Sequence, residues 1–253
     1  MLMNTMACVV LERDVELDEP VLVEGLPGVG LVGKIATDHI IDQLSLEEVG
    51  HVDCEGVPKI AVYGAEEPSV SSPVRLYANE ERDLVALQSD VPVSRQAAPS
   101  FAEAFVDWID NVGALPLFLS GLPLEEAKPD TVPEVYGVAS GQGNEHLHAN
   151  DIEPPEERGV IGGPTGALIN RASHRGLDSC GLIVESDPQF PDPAAARQLI
   201  SRGIESIAGI SVPTDDLVDR AEEIRTQKEK LAKRMQQAGE EESSQAQPLH
   251  MYQ

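Results

Sequence analysis

The chain has 253 residues, enough to bury a substantial core as one large domain or as one domain with an appendage. Forty-four acids against 18 bases leave a net charge of −26, a field that repels nucleic acid and anionic membranes and disfavours binding to them through a basic patch. The longest apolar runs, such as ALPLFL at 114–119, fall far short of the roughly 20 residues needed to span a bilayer.

From the N-terminus, MLMNTMACVVLERD has no basic region ahead of its apolar stretch and meets acid early, unlike a signal peptide, so the expected location is the cytoplasm. ACVVLE (7–12) and PVLVEG (20–25) predict strands. After a glycine cluster, Leu31, Ile35, Ala36, Ile40 and Leu44 recur at helical spacing. EVGHVDCEG (48–56), KIAVYG (59–64), VRLYANE (74–80) and DLVALQSD (83–90) predict strands again, the last two joined as a hairpin through NEERD. Residues 96–112 set Phe101, Phe105, Trp108, Ile109 and Val112 on one helical face. LPLFLSG (115–121) and EVYGVAS (134–140) return to strand, and the polar stretch 141–159 predicts an exposed loop. A short helix over 165–176 and a buried strand over 179–186 follow. The helix over 192–209 starts with an Asp192 cap and Pro193 at its first position. Alternation of this kind predicts an α/β layered fold.

The last forty residues differ. Leu217, Ala221, Ile224, Lys228, Leu231 and Met235 follow 4-3-4-3-4 spacing, a heptad stripe interrupted by one lysine. Such a helix packs on its parent domain or pairs with a second copy. Gly239 ends it, and a polar, flexible segment then turns apolar again at Leu249, Met251 and Tyr252. The expected organisation is a domain over 1–213, a helix over 214–238 and a tail over 239–253. Acids are spread along the whole chain and lysine is scarce. That is the solvated acidic surface of a salt-adapted cytoplasmic protein, and a halophilic source is the expectation.

Four features could carry chemistry. Gly28, Gly30 and Gly33 spell G-x-G-x-x-G between a strand and a helix, a dinucleotide fingerprint with Asp53 as its distant acid. Gly28, Gly33 and Lys34 also spell most of a phosphate-binding loop, but Ile35 stands where a hydroxyl should ligate magnesium. Glycines at a tight strand-to-helix turn serve close packing equally well, so Gly25, Gly28, Gly30, Gly33 and Lys34 are a ligand site or a structural turn. His146 and His148 could share a metal only if their segment is extended, and no metal is expected. Ser120 and Ser140 end strands beside glycine without an assignable partner, and no nucleophile elbow is present. Cys8, Cys54 and Cys180 are scattered and form no C-x-x-C pair, which fits buried small hydrophobes rather than disulfides or zinc.

VEGLPGVGLVGKIATDHII, PTGALINRASHRGLDSCGLIVES and PDPAAARQLI, in that order, resemble the archaeal PAC2 family, the proteasome assembly chaperone family, over about residues 8–235. The resemblance implies a three-layer α/β/α sandwich distantly like purine nucleoside phosphorylases, without a cofactor or catalytic residues. It also implies a homo-oligomer that serves 20S proteasome subunits as a chaperone or adaptor. In that light Met251, Tyr252 and Gln253 look like the hydrophobic–tyrosine–any-residue motif that docks on the 20S α-ring. A terminal carboxylate at Gln253 would pair with a lysine, and Tyr252 and Met251 would supply apolar area. From Gly239 a flexible tail spans roughly 20 Å, and several tails on one oligomer would bind with avidity. The other expectation is an enzyme on the same scaffold, holding a nucleotide, nucleoside or small anion at Gly28–Gly33.

Overall fold

A computed structural model describes residues 9–54, 57–63, 69–124, 132–217 and 219. Its strands are β1 (Val9–Leu11), β2 (Val21–Gly25), β3 (Glu47–Val52), β4 (Val62–Tyr63), β5 (Val70–Ser71), β6 (Val74–Asn79), β7 (Leu84–Ser89), β8 (Leu115–Pro123), β9 (Val135–Ser140) and β10 (Ser179–Ser186). Eight of them form one sheet in the order β1-β3-β6-β7-β2-β8-β10-β9, while β4 and β5 pair separately. The middle four, β7, β2, β8 and β10, are parallel, and antiparallel neighbours flank them on both sides. Strands covered on both faces must be apolar throughout. β7 is buried at all six positions and β2 at its last four.

Helices cover both faces. On one lie α1 (Val32–Gln43), α3 (Gly143–Ala149), α5 (Pro193–Gln198), a π-helical stretch (Leu199–Ile204) and α6 (Glu205–Ala208), closing a core around Ile40, Leu117, Leu182 and Leu199. On the other lie α2 (Ala98–Val112) and α4 (Gly163–Arg175), over Leu22, Leu76, Leu87 and Phe118. The expected three-layer α/β/α arrangement is therefore present. Phe101, Phe105 and Ile109 are buried on α2 as their spacing requires, and the rings of Phe101, Phe105 and Trp108 stack in series. Ile109→Val removes one methylene from this packed face and should cost about 1 kcal/mol by denaturant unfolding.

Several boundaries differ from the sequence expectation. β3 ends at Val52, and among the described residues 59–63 Val62 and Tyr63 pair with the unanticipated β5. The stretch 141–159 is not all loop. It contains α3, because Leu147 buries itself against Gly137 and Ile152 and thereby fixes a helical turn. The Asp192 carboxylate caps α5 by accepting from Ala195 N at 3.0 Å, as predicted, yet the helix widens into a π turn from Leu199. After it, His39 Nε2 donates to Pro213 O (2.6 Å), and Leu217 is fully buried beside α1. Most of the predicted helix 214–238, and the whole tail with Met251, Tyr252 and Gln253, lie outside the described residues. Cys180 is buried and Cys54 half-buried, while Cys8 lies outside. Burial and the nearby Asp178 push the Cys180 thiol up to about 12. Cys180 should resist thiol reagents at pH 8 until the chain is unfolded, as peptide mapping after timed alkylation would record. Among the described residues, no helix is long and apolar enough to cross a membrane.

Candidate functional site

In a doubly wound sheet, ligands sit outside the carboxyl ends of the central strands, where successive crossovers leave in opposite directions. Here that point is the end of β2, whose chain passes through Gly25–Leu31 into α1. Gly25 packs against α1 so closely that a Cβ would lie 2.5 Å from Thr37 Cβ. Gly28 is extended and a Cβ there would meet nothing. Gly30 has φ +60° and sits against the Ser186 hydroxyl at the end of β10. Gly33 approaches Leu119, 3.2 Å from where its Cβ would stand. A single 3₁₀ turn, Leu31 N to Gly28 O at 3.0 Å, leads into the helix, with Leu31 itself left-handed at φ 51°.

The turn itself is packed against two other parts of the chain. A Cβ on Gly121, near the end of β8, would lie 2.6 Å from Val29 O. Asp192 N donates to Gly30 O at 2.8 Å. The Asp192 carboxylate, adjacent to the turn, accepts from the Ser186 hydroxyl (3.2 Å) and Asp187 N (3.1 Å). The Asp192 carboxylate therefore lies beside the turn that a dinucleotide fingerprint would turn toward pyrophosphate.

Lys34 is committed as well. Its Nζ lies 2.8 Å from Asp38 and 3.5 Å from Asp90. Asp90 is held in addition by Arg75 Nη2 (2.7 Å) and Gln88 Nε2 (2.9 Å). Partial burial works against the Asp90 charge, but the Gln88 hydrogen bond and the two cations win and hold its carboxyl below the usual range. Because Arg75 keeps Asp90 paired, Lys34→Met should cost about 1 kcal/mol or less by urea denaturation.

Asp53 does not complete a dinucleotide site. It follows β3, which is separated from β2 by β6 and β7, and it pairs with Lys59 at that edge of the sheet. A dinucleotide fold needs the strand after α1 beside β2. Ile35 packs on the core, as an apolar side chain in place of a magnesium ligand would. His146 and His148 ride on α3 two residues apart, a spacing that places them on different sides of a helix. Among the described residues no three His, Cys, Asp or Glu converge as a metal site. The Ser140 hydroxyl is buried between Leu177 O and Ser179 Oγ, each at 2.8 Å.

Two features carry no motif. The first is Glu24, fully buried at the end of β2. Its carboxylate accepts from Leu26 N (3.2 Å), Leu119 N (3.1 Å) and the Thr165 hydroxyl (3.0 Å), tying the turn, β8 and α4 together. Loss of water raises its pKa to about 7, against the lowering effect of those three donors. In the sequence nothing marks it, because its partners Leu119 and Thr165 lie far along the chain.

The second is a groove of about 810 Å³ along α4, floored by β9 and β10 and walled by residues 155–161. Val138, Ile161, Ile169 and Ile183 line it, with Leu122 and Val160 on its lips. Ser120 of β8 also lines this groove. At one end the Tyr136 hydroxyl donates to Glu134 (2.8 Å) and faces Glu185 at 3.5 Å. Desolvation, the Glu134 hydrogen bond and the charges of Glu185 and Glu156 all raise the Tyr136 pKa.

Known proteins align with most of this chain. The sequence model of the PAC2 family matches residues 22–232. An uncharacterized protein of Methanocaldococcus jannaschii is 29% identical over 218 residues, covering 86% of this chain and 87% of that protein. The structure of Pyrococcus furiosus PbaA, described as an archaeal homolog of proteasome-assembly chaperone, superposes with a TM-score of 0.75 at 28% identity, covering 91% of this chain and 99% of that one. P. furiosus PbaB, described as an archaeal proteasome activator, shares the fold with a TM-score of 0.75 at 22% identity, over 88% and 98% of the two chains.

Proposed function

Since the chain belongs to the PAC2 family, we propose that it is a non-enzymatic, homo-oligomeric chaperone or adaptor of the 20S proteasome, acting in the cytoplasm and docking Met251, Tyr252 and Gln253 on the α-ring. The observation that carries this reading is the similarity to PbaA along nearly the full length of both chains. The crowded glycine turn supports it. Gly25, Gly28, Gly30 and Gly33 serve as a tight strand-to-helix connection, and Lys34 serves as an ion-pair partner of Asp38 and Asp90. A nucleotide would have to displace the Gly121 and Asp192 contacts to enter.

The test is a chain lacking Met251–Gln253, compared with the full chain for binding to the cognate 20S particle by surface plasmon resonance. Affinity should fall at least about tenfold, because every copy in the oligomer loses its anchor at once. Undiminished binding would overturn the tail's role. A rise in melting temperature with ATP, NAD or a nucleoside would favour the enzyme reading instead, since a ligand that binds only the native state stabilises it.

A further inference from the structure

Helix coverage of the sheet is unequal on its two faces at the β9 edge. On one face α3 packs on β9, with Leu147 against Gly137. On the other face α2 and α4 end the layer, and α4 reaches β10 with Ile169 beside Gly181. The strip of β9 and β10 next to α4 carries no helix of its own among the described residues, and the groove runs along that strip. Its floor is apolar, through Val138, Ile169 and Ile183; Glu156, Glu157 and Arg158 line it as well, and Glu134 and Glu185 stand at Tyr136, so acids outnumber the one lining cation. A slot of that shape, beside a helix and over a strand pair, suits the apolar face of one more helix with basic flanks.

The chain contains one such segment. Six of its 18 bases fall between Arg220 and Arg234, among them Lys228, Lys230 and Lys233, against only three acids in that interval. Ala221, Ile224 and Leu231 within it, and Met235 just after it, keep the heptad stripe. A locally basic segment in a chain of net charge −26 is electrostatically matched to that chain's own acidic surfaces.

Geometry decides whose groove it enters. Gln43, the last residue of α1, bonds Asp216 at 3.5 Å, so the chain leaves the body at the far end of α1. α1 starts at the carboxyl end of β2, and its far end therefore lies at the amino ends of the parallel strands, on the face opposite α4. Lys233 stands 16 residues past Leu217, about 24 Å along a continuous helix. The nine-residue β8 alone rises roughly 30 Å, before the sheet is crossed. As a continuous helix the segment falls short of the acidic end of its own groove.

We propose that the groove along α4 receives the basic, apolar-striped segment 221–235 of a second copy of this chain. The inference rests on the homo-oligomer proposed above and names the surface that builds it. Each copy gives one segment and receives one, and the acids around Tyr136 face the lysines of the neighbour. The tail beyond Gly239 is left free for another partner.

Two full-length variants test it, Ile169→Cys and Leu231→Cys, with Asn170→Cys as the exposed alternative should Ile169→Cys lose native circular dichroism. Each is made alone and the two together in one chain; the single variants are mixed and the double variant is treated under the same oxidising conditions, and the linked peptides are identified by mass spectrometry. The expected result is a 169–231 disulfide in the mixture. A link that forms only when both cysteines lie in one chain would overturn the exchange in favour of docking within a copy. Absence of any link, while light scattering still reports an oligomer, would overturn the inference and leave the oligomer standing. Absence of a link with a monomer mass would remove both. In parallel, reversing Lys228, Lys230 and Lys233 to Glu should raise the dissociation constant of the oligomer at least about tenfold, and Glu134→Lys with Glu185→Lys should restore it. Unchanged association after the reversal would also overturn the proposal.

Discussion

Between about pH 8.5 and about pH 5.5, at constant ionic strength, the folded protein should gain about 2 kcal/mol of stability through Glu24 alone. Burial raises its carboxyl from 4.5 to about 7. In the unfolded chain it titrates near 4.5, so throughout this window the unfolded state carries the charge. The folded state resists it. Above pH 7 the buried charge costs the folded state about 3 kcal/mol, and that cost is relieved as the pH falls through 7. The hydrogen bonds admit both forms. The carboxylate accepts from Leu26 N, Leu119 N and Thr165, while the protonated Oε1 can donate to the Thr165 oxygen and leave the two amides satisfied. Urea unfolding of the wild type and of Glu24→Gln across this range separates the local effect from the general relief of negative charge. Only the wild type carries the local term, so the difference between the two curves should change by about 2 kcal/mol. Parallel curves would remove Glu24 as the titrating group.

The second large effect is expected at Gly30. A Cβ there must adopt φ +60° and overlap the Ser186 hydroxyl, with Asp187 O 3.2 Å away. Left-handed backbone costs an L-residue about 1–2 kcal/mol, and overpacking adds a similar amount. Gly30→Ala should therefore lose about 3 kcal/mol, or about 6–12 °C in melting temperature for a protein of this size. Gly28→Ala, extended and with open space around its Cβ, should lose about 0.5 kcal/mol or less. A dinucleotide fingerprint would demand both glycines. A packed turn demands only the one that touches its neighbours. Equal losses at the two positions, read by calorimetry, would contradict the packed turn.

Elements with a strong local code were legible in the sequence. Asp192 and Pro193 marked a helix start, and the Phe101, Phe105 and Ile109 spacing marked a buried face. Both are present, since cap and face are set within one helix. α3 was hidden because Gly141, Gly143 and Asn150 read as loop punctuation, and only Leu147 packing on Gly137 outweighs them. Strand order was not legible, for nothing in β2 says that its neighbours are β7 and β8 rather than β3. That order is what separates Asp53 from the glycine turn. Glu24 was hidden for the opposite reason: VLVEG reads as a strand ending in a polar residue, and its burial depends on Thr165 and Leu119, far along the chain.

The place of β2 at the middle of the sheet has a consequence for synthesis. Its hydrogen-bonding partners are β7 and β8, and Val21 pairs with Leu115 across roughly 90 residues of chain. At about 5–20 residues per second, Leu22 and Val23 emerge from the ribosome some 5–20 s before both edges of their strand can be covered. Until then an apolar strand with at least one open edge is available to any other nascent chain. The cell must keep newly made copies apart for those seconds, although the finished molecules are proposed to seek one another.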